Sequence, residues 1–114
     1  MVILRFRTAG AVEGLVAGLS PELSATRSNG TYVEITRAGV DKASAVRYCA
    51  TKLGIDAREV VAIGDGENDL SLFAFAGVSV APANASSRVL AAASYLTDSN
   101  NDDGVATAIT ALLR

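Results

Sequence analysis

The chain has 114 residues, half of them hydrophobic and 19% charged, with a net charge of −2; that gives room for one small domain and is too apolar for a disordered one. It contains no His, which removes His triads, His acid–base chemistry and the usual zinc sites, and it has no basic cluster, so nucleic-acid binding lacks electrostatic support. No apolar run approaches the ~20 residues that a bilayer demands, MVILRFRTAG is too short and too charged for a signal peptide, and the single Cys49 allows no disulfide within the chain, so no membrane contact and a reducing, cytoplasmic location are expected.

Val2–Arg7 alternates weakly between apolar and basic residues and reads as a strand. Residues 11–19 can form a short helix, stopped by Ser20-Pro21. Leu23–Ser28 and Thr31–Arg37 are strand-like runs around Asn29-Gly30, a two-residue hairpin signal. The first 37 residues therefore read as a small β-rich layer with one helix.

The pattern changes near Ala38-Gly39. Asp41–Leu53 carries Ala45, Val46, Cys49, Ala50 and Leu53 at helical spacing, with Asp41 as N-cap and Gly54 as the stop. Cys49, in this apolar stretch, is expected to be a small buried hydrophobe. Val60–Ile63 is a continuous apolar run, as in a buried parallel strand. Asp69–Ala76 reads as a helix ending at Gly77, Val78–Ala81 as a strand, Ser86–Ala93 as a helix, Tyr95–Thr97 as a strand and Val105–Leu113 as a last helix. Alternating helices and strands give an α/β layer with a parallel sheet and right-handed crossovers. The apolar residues are mostly Ala and Val, so the core needs close helix–sheet packing.

The chemistry is concentrated in VVAIGDGENDL, Val60–Leu70. A strand runs into Gly64, and the carboxyl end of such a strand is where open α/β sheets bind ligands. Asp65 and Asp69 stand four apart across the turn into the next helix, so both carboxylates can address one spot. Hard oxygen donors of this kind suit Mg²⁺, which keeps several waters and takes one or two carboxylates. Asn68 adds an uncharged donor and acceptor beside them. A bare Gly-Asp-Gly would read as turn and cap chemistry; the second Asp and the preceding strand favour a metal site. No Glu closes a twelve-residue loop, which excludes an EF-hand. Lys42, in the first turn of its helix, is on position alone a solvated surface residue; the functional alternative is an ammonium that meets a phosphate at that helix end.

Taken together, GVDK, GDGENDL, AGVSVAPANAS and LTDSNNDDGVATAI, in this order and spacing over residues 28–114, resemble the haloacid dehalogenase superfamily of phosphatases, in its Cof-type, phosphoglycolate phosphatase-like branch. The resemblance implies a Rossmann-like half-core over residues 38–114 and a remnant of a cap domain over residues 1–37. It implies that Lys42 contacts the substrate phosphate, Asp65 ligates Mg²⁺ with Asp69 helping, Asn68 orients phosphate or carboxylates, and Asn84 lines the site more distantly. The substrate would be a small phosphorylated metabolite. The superfamily's nucleophile and acid–base pair, an Asp-x-Asp, occurs nowhere in the chain. The chain is therefore expected to be the later part of a longer phosphatase, an isolated domain or half of a split enzyme, and inactive alone. The strand at Val60–Ile63 should then be an open sheet edge, and the chain a homodimer or dependent on a partner chain carrying the missing half. Two other readings stand beside it: a non-catalytic metal-, phosphate- or protein-binding remnant, and a P-type ATPase phosphorylation domain. LSLFAFAG after Asp69, in place of Ala-Pro and a Lys-bearing helix, argues against the ATPase.

Overall fold

The computed structural model describes residues 1–29 and 31–114. Strand β1 (Val2–Arg5), helix α1 (Ala9–Ala17), β2 (Leu23–Asn29) and β3 (Tyr32–Arg37) come first, then α2 (Lys42–Leu53), β4 (Val61–Ile63), α3 (Leu70–Phe75), β5 (Val78–Pro82), α4 (Ser87–Ala92), β6 (Tyr95–Thr97) and α5 (Gly104–Leu112). The predicted elements recur in the predicted order, with ends moved by one or two residues. The first strand stops at Arg5. The helix predicted from Asp69 starts at Leu70, after a single 3₁₀ turn over Glu67–Asp69.

The chain forms two sheets. The first is antiparallel in the order β1-β3-β2, with Thr26 opposite Glu34 and Arg27 opposite Val33. β2 and β3 pair as the expected hairpin; Gly30 of the predicted Asn-Gly turn lies outside the described residues. Val33 and, from α1, Val12 are fully buried. The second sheet is parallel, in the order β4-β5-β6, so the chain is an α/β protein as its alternating elements imply.

β5 lies between two strands, and four of its five residues are buried. Its alternation sends Ala81 into a core with Ala62, Phe73 and Val89, which joins α3 and α4 to one sheet face. Val80 points to the other face, where it lines a cavity with Ala108 and Leu112 of α5. β4 has a strand on one side only among the described residues. Val61 is 43% exposed, so the continuous apolar run at Val60–Ile63 does not mark a fully buried strand. The backbone explains the open side. Val60 accepts from Val78 and Gly64 donates to Val80, so by ladder alternation the polar groups of Val61 and Ile63 face away from β5.

Helix α2 is capped as its sequence predicts. Asp41 Oδ1 accepts from Ser44 N at 2.8 Å, Ser44 Oγ accepts from Asp41 N at 3.0 Å, and Gly54 ends the helix in the left-handed region at φ 68°. Asp41→Ala should lower stability by about 1 kcal/mol, measured as a shift in the urea midpoint without a change in slope. The buried face of this helix departs from the expectation. Ala43 and Ala50 are buried, whereas Cys49 is exposed, Leu53 is 72% exposed and Tyr48 65%. The helical period is right and its phase is displaced. α2 packs on α3 through the Ala43 and Ala50 side, with the Arg47 guanidinium 5.1 Å from the Phe75 ring centre, and that turns Cys49 to solvent.

Candidate active site

The loop that leaves β4 is organised around one buried carboxylate. Asp69 is 6% exposed. Its Oδ2 accepts from the backbone N–H of Asp65 and of Gly66, each at 3.1 Å, and its Oδ1 accepts from the Lys42 ammonium. Asp69 therefore staples the turn closed from the far end, and the 3₁₀ turn places it there. This close return also explains Gly64: a Cβ at that position would stand 2.5 Å from both Cβ and Cγ of Asp69. Any side chain at residue 64 would displace the carboxylate.

Asp65, four residues earlier, behaves differently. It is exposed, and its carboxylate makes no hydrogen bond or ion pair among the described residues. It lines an open cleft of about 430 Å³ together with Asn84 and Ser86 from the β5–α4 connection and Arg27 and Ser28 from β2. Asn84 is fixed in that cleft, because its Oδ1 accepts from Asn100 N at 2.8 Å. Asn68 points to the antiparallel layer and donates to Glu34 Oε1 at 3.3 Å. The fold thus brings Lys42, Asp65, Asn68 and Asp69 to the carboxyl end of β4. Asn84 joins Asp65 in the cleft, while Lys42 and Asn68 share a smaller cavity of about 40 Å³ with Thr26 and Thr36.

The donor set can be tested against Mg²⁺. Among the described residues, no three His, Cys, Asp or Glu side chains gather closely enough to enclose an ion. Mg²⁺ needs no such cage; one or two carboxylates, waters and phosphate oxygens are its ordinary shell. A solvent-facing Asp65 carboxylate with no protein partner among the described residues, beside a polar cleft, fits that partial shell. Asp69 fits less directly, because Lys42 and two backbone N–H groups already engage it.

The sequence matches the profile of the haloacid dehalogenase-like hydrolases over residues 6–109. The chain belongs to this family. Among curated relatives it is similar to the 5-amino-6-(5-phospho-D-ribitylamino)uracil phosphatase YcsE of Bacillus subtilis, at 42% identity over 88 residues, which is 77% of this chain and 35% of that one. It is also similar to the phosphoglycolate phosphatase of Methanopyrus kandleri, at 47% identity over 74 residues, 65% of this chain and 32% of the relative. Among solved structures it resembles SMU.1108c from Streptococcus mutans, with a TM-score of 0.88 and 30% identity over 97% of this chain and 43% of that one. The chain spans about a third of the length of these curated relatives.

In this haloacid dehalogenase-like chain, several residues at the site, Ser86 among them, were not singled out by sequence reasoning. Arg27 and Ser28 reach the cleft because β2 ends over the Gly66 loop, and Glu67 lines it from the 3₁₀ turn. Glu34 holds Asn68. The register of β2 shifts between Arg27 and Asn29, so simple strand alternation does not place Ser28, and which layer the end of β2 meets is set by packing.

Proposed function

We propose that this chain supplies the metal- and phosphate-binding half of a Mg²⁺-dependent phosphomonoester hydrolase of the Cof-type branch, acting on a small phosphorylated metabolite. The observation that carries the proposal is the Lys42–Asp69–loop arrangement at the end of β4. Asp69 fixes the ammonium of Lys42 at the start of α2, where a phosphate would gain its charge. Asp65 holds Mg²⁺, with Asp69 helping to order the metal or its water. Bound there, Mg²⁺ would neutralise phosphate charge. Asn68 orients the phosphate and Asn84 bounds the cleft. The chain has no Asp-x-Asp, so attack on phosphorus and protonation of the leaving group fall to carboxylates from outside it. Residues 1–37 act as part of a cap and residues 38–114 as the half-core. The open side of β4 is the place for the remaining core, from a partner chain or within a homodimer. Support for a phosphorylated substrate comes from the relatives named above, which are phosphatases.

The test is an NMR titration of the chain with MgCl₂ and with inorganic phosphate. Amide shifts at residues 64–68 are expected with Mg²⁺ at millimolar concentration and should vanish in Asp65→Asn. Lys42→Met should weaken phosphate binding about tenfold, as expected for loss of a charge-assisted contact. Mg²⁺ shifts centred on Asp102 and Asp103 instead would overturn the assignment.

A further inference from the structure

Glu34 stands in the central strand of the antiparallel layer, opposite Ile3 on one side and Thr26 on the other, so neither neighbouring strand offers it a cation directly across. It is half-buried, and its one side-chain hydrogen bond among the described residues comes from a neutral group, the Asn68 amide at 3.3 Å. Its own layer therefore compensates this carboxylate poorly. What faces it comes from the other half of the chain: Glu34 lines the cavity of about 40 Å³ together with Lys42 and Asn68. An ammonium and an amide are the surroundings of an anion. That space holds roughly one water and is too small for a phosphate group. The Lys42 side chain is 47% exposed, so solvent reaches it. Asn68 is engaged at both ends of its amide. Its Oδ1 lies over Gly66, 2.7 Å from where a Cβ would stand, and its NH₂ group, the end that can meet an anion, is on Glu34.

We infer that the Glu34 carboxylate is an internal occupant of the phosphate site, an anion of the chain itself that competes with phosphate for Asn68. This rests on the phosphate-site reading above. A phosphate oxygen and a carboxylate oxygen cannot share one NH₂ group and the small space beside it without like-charge repulsion. Phosphate on Lys42 therefore gains Asn68 only as Glu34 withdraws. Glu34 belongs to β3, so its contact with Asn68 also ties the antiparallel layer to the phosphate loop. Phosphate binding and the seating of that layer are then coupled, and each weakens the other by the same factor.

The experiment titrates the chain, in MgCl₂, with inorganic phosphate and follows it by NMR. Phosphate should shift the Lys42 amide and the Asn68 side-chain NH₂ signals, and the backbone amides of residues 33–35 should move with them. Glu34→Gln keeps an acceptor oxygen for Asn68 and removes the charge, so it should tighten phosphate about fivefold. Glu34→Ala removes both and should tighten phosphate at least as much, with the shifts at residues 33–35 lost. Glu22→Gln controls for net charge. Glu22 precedes Thr26 by four residues, roughly 13 Å along the strand and beyond the Debye length, so that variant should leave the affinity within about 1.5-fold. Weaker phosphate binding in Glu34→Gln, an unchanged affinity, or equal tightening in Glu22→Gln overturns the role of Glu34 and leaves the phosphate site standing. Absence of phosphate shifts at Lys42 and Asn68, in the unaltered chain and in Glu34→Gln alike, overturns the phosphate site and this inference with it.

Discussion

Asp69→Ala is expected to destabilise the chain by about 2–4 kcal/mol. The buried carboxylate serves two backbone N–H groups and an ammonium at once. Removing it leaves the N–H groups of Asp65 and Gly66 without their acceptor in a part-buried loop, at about 1–3 kcal/mol each. The Lys42 contribution is smaller, because its side chain is 47% exposed and regains water when the partner is lost. Asp69→Asn keeps one acceptor oxygen of similar shape and should cost about half as much. Urea unfolding with unchanged slope measures both. A shift below about 0.5 kcal/mol for Asp69→Ala would mean that other contacts hold the loop, since surface changes without structural consequence lie in that range. The same variant should also disorder residues 64–68, visible as lost amide protection, because the staple and the loop are one unit.

The second large effect is expected at Gly104, the first residue of α5. Its N–H donates to Ser99 O at 3.0 Å and its carbonyl accepts from Thr97 Oγ1 at 2.8 Å, so it is anchored on both sides to the segment after β6. A Cβ there would overlap the Asp98 carbonyl oxygen and lie 2.5 Å from the Asp98 carbonyl carbon and 3.0 Å from Ser99 O. These are backbone atoms, which cannot rotate away as a side chain can. Gly104→Ala should therefore cost about 3 kcal/mol, at the upper end of overpacking, and lower the melting temperature by more than about 10 °C. Gly14→Ala is the control. That glycine is inside α1 with nothing within 4 Å of an added Cβ, so the change should stabilise by about 0.5–1 kcal/mol. Equal melting temperatures for the two variants would show that the β6–α5 connection yields where the structure has it rigid.

Both effects arise where the chain returns to itself over a few residues; the turn from Gly64 to Asp69 was legible in the sequence, and the close approach at Gly104 was not. The strand that runs into Gly64, the turn carrying Asp65 and Asp69, the caps Asp41 and Gly54, and the alternation of helices with short apolar strands all follow from residues close in the chain. Local sterics, capping and periodicity decide them. The spacing of Asp65 and Asp69 placed both at one turn. It did not divide their work, with one carboxylate turned inward onto backbone N–H groups and the other left to solvent.

That division, and everything that joins distant segments, came from the tertiary structure. Lys42 meets Asp69 across 27 residues, and Asn68 meets Glu34 across 34. Arg27 reaches the Asp65 cleft because the antiparallel layer sits over the loop. Cys49 shows the same limit: its helical period was readable, and its exposure was not. Periodicity fixes which residues of one element share a face, because backbone geometry repeats. Which face is then covered, and by what, depends on how whole layers pack, a property of surfaces assembled from segments far apart in the sequence.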